Sequence, residues 1–219
     1  MSKKFIIFGN TEYSYMIAKY IEETTDDKVL AFAVDKKYID KPCFNEFPVI
    51  AFEEIENHYS SKEAEFIIGI GHKSMNSVRE DIFNRIKSKG YNIGNFIHPK
   101  AIVEASEIGE GNIILCGAYI GKNAKIGNAN IFWNNCNISH DAVIGDFNYI
   151  APSVTFGGFV NVENKCFFGL GAIVKNGLSI ANSTLIGAGA YIDKDTEPCD
   201  VYVPARAVKL KYKSFEMNI

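Results

Sequence analysis

Residues 120–131 read IGKNAKIGNANI, two blocks of six residues that each begin with isoleucine followed by glycine. The same block continues on both sides, so that every sixth residue from Ile102 to Ile192 is aliphatic or phenylalanine. These positions are Ile102, Ile108, Ile114, Ile120, Ile126, Phe132, Ile138, Ile144, Ile150, Phe156, Val162, Phe168, Val174, Ile180, Ile186 and Ile192. Sixteen apolar residues in one unbroken register indicate an internal repeat, since only 47% of the whole chain is hydrophobic.

The remaining places of the block indicate a short strand followed by a corner. The fifth place is usually small, as at Ala118 and Ala124, and the second place is glycine in seven blocks. A period of six fits neither the 3.6-residue repeat of a helix nor the simple alternation of a strand. Asn112, Asn130 and Asn148 replace the small residue at intervals of 18 residues, or three blocks. The repeat therefore predicts a triangular coil of three strands, with successive coils stacked about 4.8 Å apart.

The composition changes near residue 96 and divides the chain into three predicted parts. Residues 1–95 form an α/β domain, residues 96–197 form the β-helix, and residues 198–219 leave the repeat and cover its last coil. In the first part, apolar runs predict buried strands that alternate with helices. The strands are FIIF at 5–8, VLAFAV at 29–34 and FIIGIG at 66–71, and the helices run through Met16 to Ile21 and Met75 to Ile86.

Strands that alternate with helices predict a small parallel sheet of the Rossmann-like type. Its binding crevice is expected beyond the carboxyl ends of the strands, at Gly9, Asp35 and Gly71. Gly9 is followed by NTEYS, so the pattern GxGxxG is absent and a nicotinamide cofactor is not expected.

Charge and composition argue against several classes of protein. The net charge of −3 disfavours a nucleic-acid-binding protein, which gains affinity by neutralising phosphates. No segment approaches the roughly 20 apolar residues of a membrane span, and the run at 5–8 is too short for a signal peptide. We therefore expect a cytoplasmic protein that does not bind a membrane. The five cysteines have irregular spacing and no CxxC pair, so we expect reduced thiols and no zinc cluster.

A histidine within the repeat is the first candidate for catalysis. His140 occupies the third place of its block, which points to solvent or to a neighbouring subunit. Asp141 follows directly and can orient the imidazole and raise its basicity. Gly158 lies 18 residues further on, one coil away in the same column, and offers a backbone N–H. A general base beside an amide donor is suited to acyl transfer from a thioester.

The blocks IGKNAK, IGNANI and IGAGAY resemble the hexapeptide repeat of left-handed β-helix acyltransferases, and this resemblance implies a left-handed coil. Together with CNISHDAVIGDF at 136–147, Gly157–Gly158 and the N-terminal α/β domain, nearly the whole chain resembles the NeuD/PglD-type sugar acyltransferases. Members of that family use acetyl-CoA to acetylate sugars, often amino sugars carried on a nucleotide.

The resemblance implies a role for several residues. His140 is the general base, Asp141 strengthens it, and the amide of Gly158 donates to the acetyl carbonyl. Acetyl-CoA, the co-substrate, lies in a groove between adjacent subunits of a homotrimer, and no metal takes part. The matching acetyl-CoA positions are Tyr149, Leu170 and Ala188.

The same resemblance places the nucleotide-linked amino sugar in the N-terminal domain. Gly9, Asp35 and Gly71 match the family positions that hold the nucleotide sugar, and Tyr13 can stack on its base. The glycine-rich turn of the family is replaced here by Thr11–Ser14. Trp133 occupies the second place of its block and is expected to face outward, where packing against another subunit is favoured over stacking on the substrate.

Three alternatives to N-acetylation remain at this point. O-acetylation of a sugar would use the same base and thioester. A non-catalytic trimeric scaffold would use the repeat only for assembly. A metal enzyme like the γ-class carbonic anhydrases needs three converging histidines, whereas only His98 and His140 lie in or near the repeat. The helical N-terminal extension expected of serine acetyltransferases is missing.

Overall fold

The computed structural model describes residues 2–209, 211, 213 and 214. Within these ranges the chain has the predicted fold class, an α/β domain followed by a left-handed parallel β-helix. Residue 1 of the predicted first domain and residues 210, 212 and 215–219 of the predicted tail lie outside the described residues.

The N-terminal domain is a five-stranded sheet flanked by two helices. Its elements are β1 (Lys4–Phe8), α1 (Glu12–Thr24), β2 (Lys28–Val34), β3 (Cys43–Phe44), β4 (Phe47–Ala51), β5 (Glu65–Ile68) and α2 (Ser77–Ser88), with 3-10 helices at Lys36–Tyr38 and Phe52–Asn57. The strand order is β3-β4-β2-β1-β5. All pairs are parallel except β3 with β4, so the predicted parallel sheet carries one antiparallel edge strand.

The turn between β1 and α1 is built by local packing. Thr11 caps the helix, because its hydroxyl accepts from the Ser14 amide at 3.4 Å while the Ser14 hydroxyl accepts from the Thr11 amide at 3.3 Å. The Ser14 hydroxyl also contacts the Gly69 carbonyl at 2.9 Å. A Cβ on Gly9 would lie 2.7 Å from that hydroxyl, and Gly9 has a φ of +122°, so only glycine fits there. This close packing joins the carboxyl ends of β1 and β5.

Residues from Phe96 onward form two-residue strands that coil around one apolar interior. In chain order these strands are β6 (Phe96–Ile97), β7 (Ile102–Val103), β8 (Glu107–Ile108), β9 (Ile113–Ile114), β10 (Tyr119–Ile120), β11 (Lys125–Ile126), β12 (Ile131–Phe132), β13 (Asn137–Ile138), β14 (Val143–Ile144), β15 (Tyr149–Ile150), β16 (Thr155–Phe156), β17 (Asn161–Val162), β18 (Phe167–Phe168), β19 (Ile173–Val174), β20 (Ser179–Ile180), β21 (Leu185–Ile186), β22 (Tyr191–Ile192) and β23 (Val201–Tyr202).

Every third strand belongs to the same face of the prism. The first face contains β6, β9, β12, β15, β18, β21 and β23. It is called the docked face because the N-terminal domain packs on it. The second face contains β7 to β22, and the third face contains β8 to β20. Tyr119 pairs with Asn137, and Ile131 pairs with Tyr149, each 18 residues apart. The predicted coil of 18 residues is therefore confirmed.

Columns of equivalent residues mark the three corners of the prism. The Leu170 corner, between the docked and second faces, contains Cys116, Asn134, Pro152, Leu170 and Ala188. The His140 corner, between the second and third faces, contains Lys122, His140, Gly158 and Asn176. The Asn128 corner, between the third and docked faces, contains Glu110, Asn128, Asp146, Asn164 and Asn182.

The N-terminal domain packs on the docked face of the β-helix. Ile113 and Ile131 from that face share one buried cluster with Phe5 and Ile17 of the N-terminal domain. Burial of this apolar surface stabilises the contact between the two domains. The domain therefore covers one side of the prism and leaves the His140 corner on the opposite side.

Candidate active site

His140 lies outside the hydrophobic interior, as its place in the repeat predicts. It follows β13 at the His140 corner, and its side chain is 58% exposed. The interior positions on either side, Ile138 and Ala142, are fully buried. The two buried neighbours fix the backbone, so the imidazole projects from a rigid corner.

Asp141 holds one nitrogen of the imidazole. Nδ1 of His140 lies 2.8 Å from Oδ2 of Asp141, and Oδ1 of the same carboxylate accepts from Asn123 Nδ2 at 3.2 Å. The hydrogen bonds from His140 and then Asn123 lower the pKa of the Asp141 carboxyl. An ionised Asp141 accepts from Nδ1–H, which leaves the lone pair on Nε2 of His140. No described residue hydrogen-bonds to that nitrogen.

Gly158 lies directly against the imidazole from the next coil. A Cβ built on Gly158 would stand 2.7 Å from Cε1 and 2.8 Å from Nε2 of His140. The Gly158 carbonyl accepts from the Gly177 amide at 2.9 Å, but the Gly158 amide donates to no group in the described part of the chain. The His140 imidazole and a backbone amide without a partner in the described residues therefore lie on adjacent coils.

The Asn128 corner differs from the His140 corner in this respect. The amide of Asn128 donates to Asp146 Oδ1 at 2.6 Å, and the amide of Asp146 donates to Asn164 Oδ1 at 2.7 Å. The amides of Glu110 and Asn164 are likewise capped by the side chain one coil above, whereas the amide of Asn182 donates to Glu163. Asn176 stands above Gly158 and gives no such cap in the described structure. The backbone amide of Gly158 therefore remains available as a hydrogen-bond donor, whereas the equivalent amides at the Asn128 corner are bonded to side chains.

The three residues matched to acetyl-CoA do not lie together. Leu170 and Ala188 are exposed neighbours on the Leu170 corner, and the Leu170 side chain is among the exposed large apolar groups at 59%. Tyr149 is instead half-buried on the docked face, where it stacks on Phe167 at 5.3 Å and contacts His72 at 4.8 Å. Tyr149 therefore packs against the N-terminal domain.

The four residues matched to the nucleotide sugar do lie together. Gly9, Tyr13, Asp35 and Gly71 line one cleft of about 980 Å³ at the carboxyl ends of the sheet, where the sequence placed the crevice. The cleft is large enough for a ligand of nucleotide size.

The floor of this cleft contains Trp133, contrary to the expectation that it faces another subunit. Its indole packs 5.6 Å from the Tyr13 ring and 6.2 Å from the Tyr149 ring, all within one chain. The N-terminal domain covers the docked face, so the outward second place at Trp133 is partly buried between the domains. Periodicity alone predicts which face a residue lies on, but not what covers that face.

The cleft contains an ion pair and further lysine side chains. Arg85 of α2 bonds to Asp35 through both carboxylate oxygens, and its guanidinium lies 5.1 Å from the Phe52 ring. The hydrogen bond to Asp35 raises the pKa of Arg85. Lys37, Lys41 and Lys73 also line the cleft. Arg85 was not predicted as a site residue, because a helical pattern does not indicate which strand end an arginine side chain reaches.

A buried arginine joins the two domains beside this cleft. Arg79 is 1% exposed, and its Nη2 donates to the carbonyls of Phe147 and Asn148 at 2.9 and 3.0 Å, while Nη1 donates to the Gly71 carbonyl at 3.2 Å. Burial lowers the pKa of Arg79 to about 10, so it is a cation at neutral pH. Asn76 adds a bond from its side chain to the Cys166 carbonyl at 3.1 Å.

The cysteines provide no reactive thiolate in the β-helix interior. Cys136 and Cys166 are fully buried, and burial raises the pKa of both thiols to about 12. The described residues contain no group of three or more metal-ligating side chains. Within the same residues, none of the helices combines the length and apolar character needed to cross a membrane.

The comparison with known families decides the type of the first domain. Residues 4–86 match the family described as the PglD N-terminal domain. The N-terminal domain of this chain is therefore similar to the PglD N-terminal domain. A GDP-perosamine N-acetyltransferase of Escherichia coli O157:H7 is 32% identical over 116 residues, which cover 51% of this chain and 51% of that protein. The chain thus spans about half the length of this curated relative in the alignment.

Solved structures of PglD-type proteins match almost the whole chain. A GDP-perosamine N-acetyltransferase variant from Caulobacter crescentus, in complex with CoA and GDP-perosamine, has a TM-score of 0.81 at 22% identity and covers 90% of this chain and 92% of its own. The acetyltransferase domain of PglB from Neisseria gonorrhoeae FA1090 has a TM-score of 0.79 at 21% identity, with 91% and 96% covered. The fold and the predicted resemblance to NeuD/PglD-type acyltransferases are confirmed.

Proposed function

We propose that this protein is an acetyl-CoA-dependent N-acetyltransferase that acts on a nucleotide-linked amino sugar. The observation that carries the proposal is the His140–Asp141 pair beside the unbonded amide of Gly158. The naming of the E. coli relative as a GDP-perosamine N-acetyltransferase supports the same reaction. A cytoplasmic location follows from the co-substrate, since acetyl-CoA is a metabolite of the cytoplasm.

The proposed reaction is direct transfer without a covalent enzyme intermediate. The amine of the sugar attacks the thioester carbonyl, and Nε2 of His140 takes the proton from that nitrogen. The negative charge that develops on the carbonyl oxygen is stabilised by the Gly158 N–H. Collapse of the tetrahedral species breaks the carbon–sulfur bond, and the proton on His140 passes to the departing thiolate. Asp141 keeps the imidazole in the required tautomer throughout.

The cleft of the N-terminal domain is the proposed site for the nucleotide. The lysines and Arg85 suit a diphosphate, and the Tyr13 ring offers a surface for a base. Leu170 and Ala188 form the proposed surface for the pantetheine chain of acetyl-CoA, which would run along their corner.

The position of the cleft indicates that the proposed reaction needs more than one copy of the chain. The cleft lies on the docked face, whereas His140 lies on the corner opposite that face. A sugar held in the cleft therefore cannot reach His140 of the same chain. We propose a homotrimer in which the cleft of one subunit faces His140 of the next. Exposed apolar residues on the second face, Ile102, Ile173 and Tyr191, support burial against another copy.

Release of CoA tests the reaction directly. The protein is incubated with acetyl-CoA, a thiol reagent and amino sugars linked to GDP, UDP or dTDP, with the matching hydroxy sugars as controls. We expect thiol release with an amino sugar and a product that carries one added acetyl group. Release only with the hydroxy sugars would favour O-acetylation, and no release with any acceptor would favour a scaffold.

Mixed oligomers test the shared site. His140→Ala removes the base, and Gly71→Trp is chosen to fill the cleft, because no atom lies within 4 Å of a Cβ at Gly71. Each variant alone should be inactive. Refolding the two together should restore part of the activity, since some sites then combine an intact cleft with an intact base. Failure of the mixture to regain activity would contradict a site shared between subunits.

A further inference from the structure

Phe159 places an aromatic side chain beside the proposed base, at a corner position whose backbone is left-handed throughout the repeat. Its φ is +61°, a region that suits asparagine, aspartate and glycine but is uncommon for a bulky side chain. The equivalent positions of the other coils on this corner are Asn123, Asp141 and Gly177, which fit that preference. Phe159 is also 63% exposed, so interior packing does not account for a phenyl group there. A residue that is both strained and exposed calls for a functional explanation.

The phenyl ring contacts the imidazole of His140. The two ring centroids are 5.2 Å apart and the planes meet at 89°, the edge-to-face arrangement that aromatic pairs prefer. The backbone reinforces the contact, because the Phe159 amide donates to the His140 carbonyl at 3.1 Å. The imidazole is therefore held by three groups: the carboxylate of Asp141, the α-carbon of Gly158 and the ring of Phe159.

The three contacts restrict different movements of the imidazole. The Asp141 carboxylate fixes one ring nitrogen but permits the ring to swing about that hydrogen bond. Gly158 blocks the swing on one side, and Phe159 supplies the remaining wall. A general base must keep its nitrogen within hydrogen-bond reach of the proton that it removes. An exposed imidazole without the phenyl wall would sample several rotamers.

We propose that Phe159 is a positioning residue that fixes the imidazole of His140, a role that rests on the proposed acetyl transfer. It acts through His140 and does not exchange protons itself. The corner sets the backbone conformation, which Phe147 also adopts at a φ of +60°, and phenylalanine is retained at position 159 because its ring orders the base. The protein thus gives up some stability at this corner in exchange for a defined position of Nε2.

The replacement Phe159→Asn separates this role from a structural one. Asparagine suits a φ of +61°, so the melting temperature should stay the same or rise. We expect kcat for the amino sugar to fall about tenfold or more, while the KM for acetyl-CoA changes less than twofold. Phe159→Tyr keeps the ring and should retain most of the activity. Ser183→Asn introduces the same residue at a φ of +58° on the Asn128 corner, and kcat should not change.

A second measurement reports on the imidazole itself, independently of turnover. Long-range ¹H–¹⁵N NMR spectra of histidine-labelled protein distinguish the two ring nitrogens, and His140→Ala assigns the His140 signals. We expect one tautomer, protonated at Nδ1, in the native protein and in Phe159→Tyr. Phe159→Asn should show averaging between the tautomers.

The outcomes are distinct. Unchanged His140 signals in Phe159→Asn would overturn the positioning role, whatever the activity. Loss of activity together with dissociation in sedimentation would also overturn it and would identify Phe159 as a subunit contact. Absence of acetyl transfer by the native protein with every acceptor would refute the proposed function, whereas the NMR result would still decide whether Phe159 orders the ring.

Discussion

The imidazole of His140 rests on the α-carbon of Gly158, one coil further along the β-helix. The site that a Cβ on Gly158 would occupy is 2.7 Å from Cε1 of His140, closer than real Cβ contacts come. The preceding glycine has a different neighbour, because a Cβ on Gly157 would lie 2.5 Å from the backbone nitrogen of Asn176. The two adjacent glycines therefore serve different purposes: Gly157 permits the coils to stack, and Gly158 permits the base to lie where it does.

Gly158→Ala should impair activity much more than stability. The added methyl group pushes the imidazole aside, and the exposed ring can move without disturbing the interior. A displacement of about 1 Å can lower a rate by about 100-fold, so we expect kcat to fall by about that factor. Gly157→Ala is the matched comparison and should lower the melting temperature, since backbone atoms cannot yield as easily. Equal thermal destabilisation by both substitutions would contradict this division of roles.

Replacement of the base gives the largest expected effect on the rate. His140→Ala should lower kcat by about 10² to 10⁴, the range typical of general acid–base catalysis. The melting temperature should change little, because the side chain is 58% exposed. The exposed His58 of the N-terminal domain provides the control, and His58→Ala should leave kcat unchanged. Near-native turnover by His140→Ala would remove the imidazole from the mechanism.

The carboxyl of Asp141 should titrate below the ordinary value for aspartate, about 3.9. Its pKa is lowered first by the hydrogen bond from His140 and second by that from Asn123. Asn123→Gly removes the second donor and still suits the φ of +63° at that position, so the pKa should rise part of the way. His140→Ala removes the larger of the two causes, so it should raise the pKa of Asp141 more than Asn123→Gly does. Carbon-detected NMR titration of the carboxyl measures both changes, and an unshifted pKa in the native protein would refute the pairing.

The sign of the matching stability effect follows from the direction of the shift. A carboxyl whose pKa is lower in the folded state than in the unfolded state stabilises the fold above the unfolded pKa. That contribution is lost as the pH falls through the folded pKa. At neutral pH, the free energy of unfolding measured in urea should therefore include the full contribution of Asp141. The difference in this free energy between the native protein and Asn123→Gly should become smaller in acid.

Much of the β-helix could be predicted from the sequence because each coil repeats the same physical demands. The buried place must be large and apolar, the neighbouring interior place must be small, and both recur every six residues. His140 was found because it is a histidine at an outward place of the repeat and is followed directly by Asp141. The geometry between His140 and Gly158 follows from the same repeat, since residues 18 apart are paired neighbours in adjacent coils.

The parts that the sequence did not reveal depend on contacts between distant segments. Strands β3 and β4 are short, and Pro48 in β4 cannot donate a backbone hydrogen bond, so no alternating pattern marks them. The ion pair of Asp35 with Arg85 joins residues 50 positions apart. The burial of Trp133 depends on a second domain that covers its face. None of these features has a local signal.

Arg79 is expected to contribute most to the contact between the two domains. Its guanidinium donates to carbonyls on both sides of the interface, and no carboxylate pairs with it among the described residues. Hydrogen bonds from charged donors contribute about 1.5–3 kcal/mol, and removal of the buried cation offsets part of the loss. Arg79→Met should therefore lower the free energy of unfolding by about 2 kcal/mol.

Equilibrium urea unfolding measures the effect of Arg79→Met. Arg85→Met provides the comparison, since Arg85 lies on the same helix but is only partly buried and touches no residue of the β-helix in the described contacts. Arg85→Met should be the milder of the two for the free energy of unfolding, although it also alters the cleft. A larger effect of Arg85→Met than of Arg79→Met would show that Arg79 does not join the domains as described.

A ladder of asparagines runs up the interior of the Asn128 corner. Asn112, Asn130 and Asn148 are fully buried and stand one above another. The Asn130 side chain donates to Asn112 Oδ1 at 3.1 Å and to the Gly145 carbonyl at 2.9 Å, and its oxygen accepts from the Asn148 amide at 2.8 Å. Each side chain thus satisfies backbone groups that would otherwise be buried without partners.

Asn130→Ala should be costly because it breaks the ladder in the middle. The substitution removes the acceptor of the Asn148 amide and the donor to the Gly145 carbonyl, and it leaves a polar void in the interior. Buried groups without partners cost about 1–3 kcal/mol each, so we expect a loss of about 3 kcal/mol in the free energy of unfolding by urea. Asn161 is exposed on the third face, and Asn161→Ala should stay within about 0.5 kcal/mol of the native protein. A comparably small effect of Asn130→Ala would mean that water replaces the side chain, because only a bridging molecule could satisfy both groups.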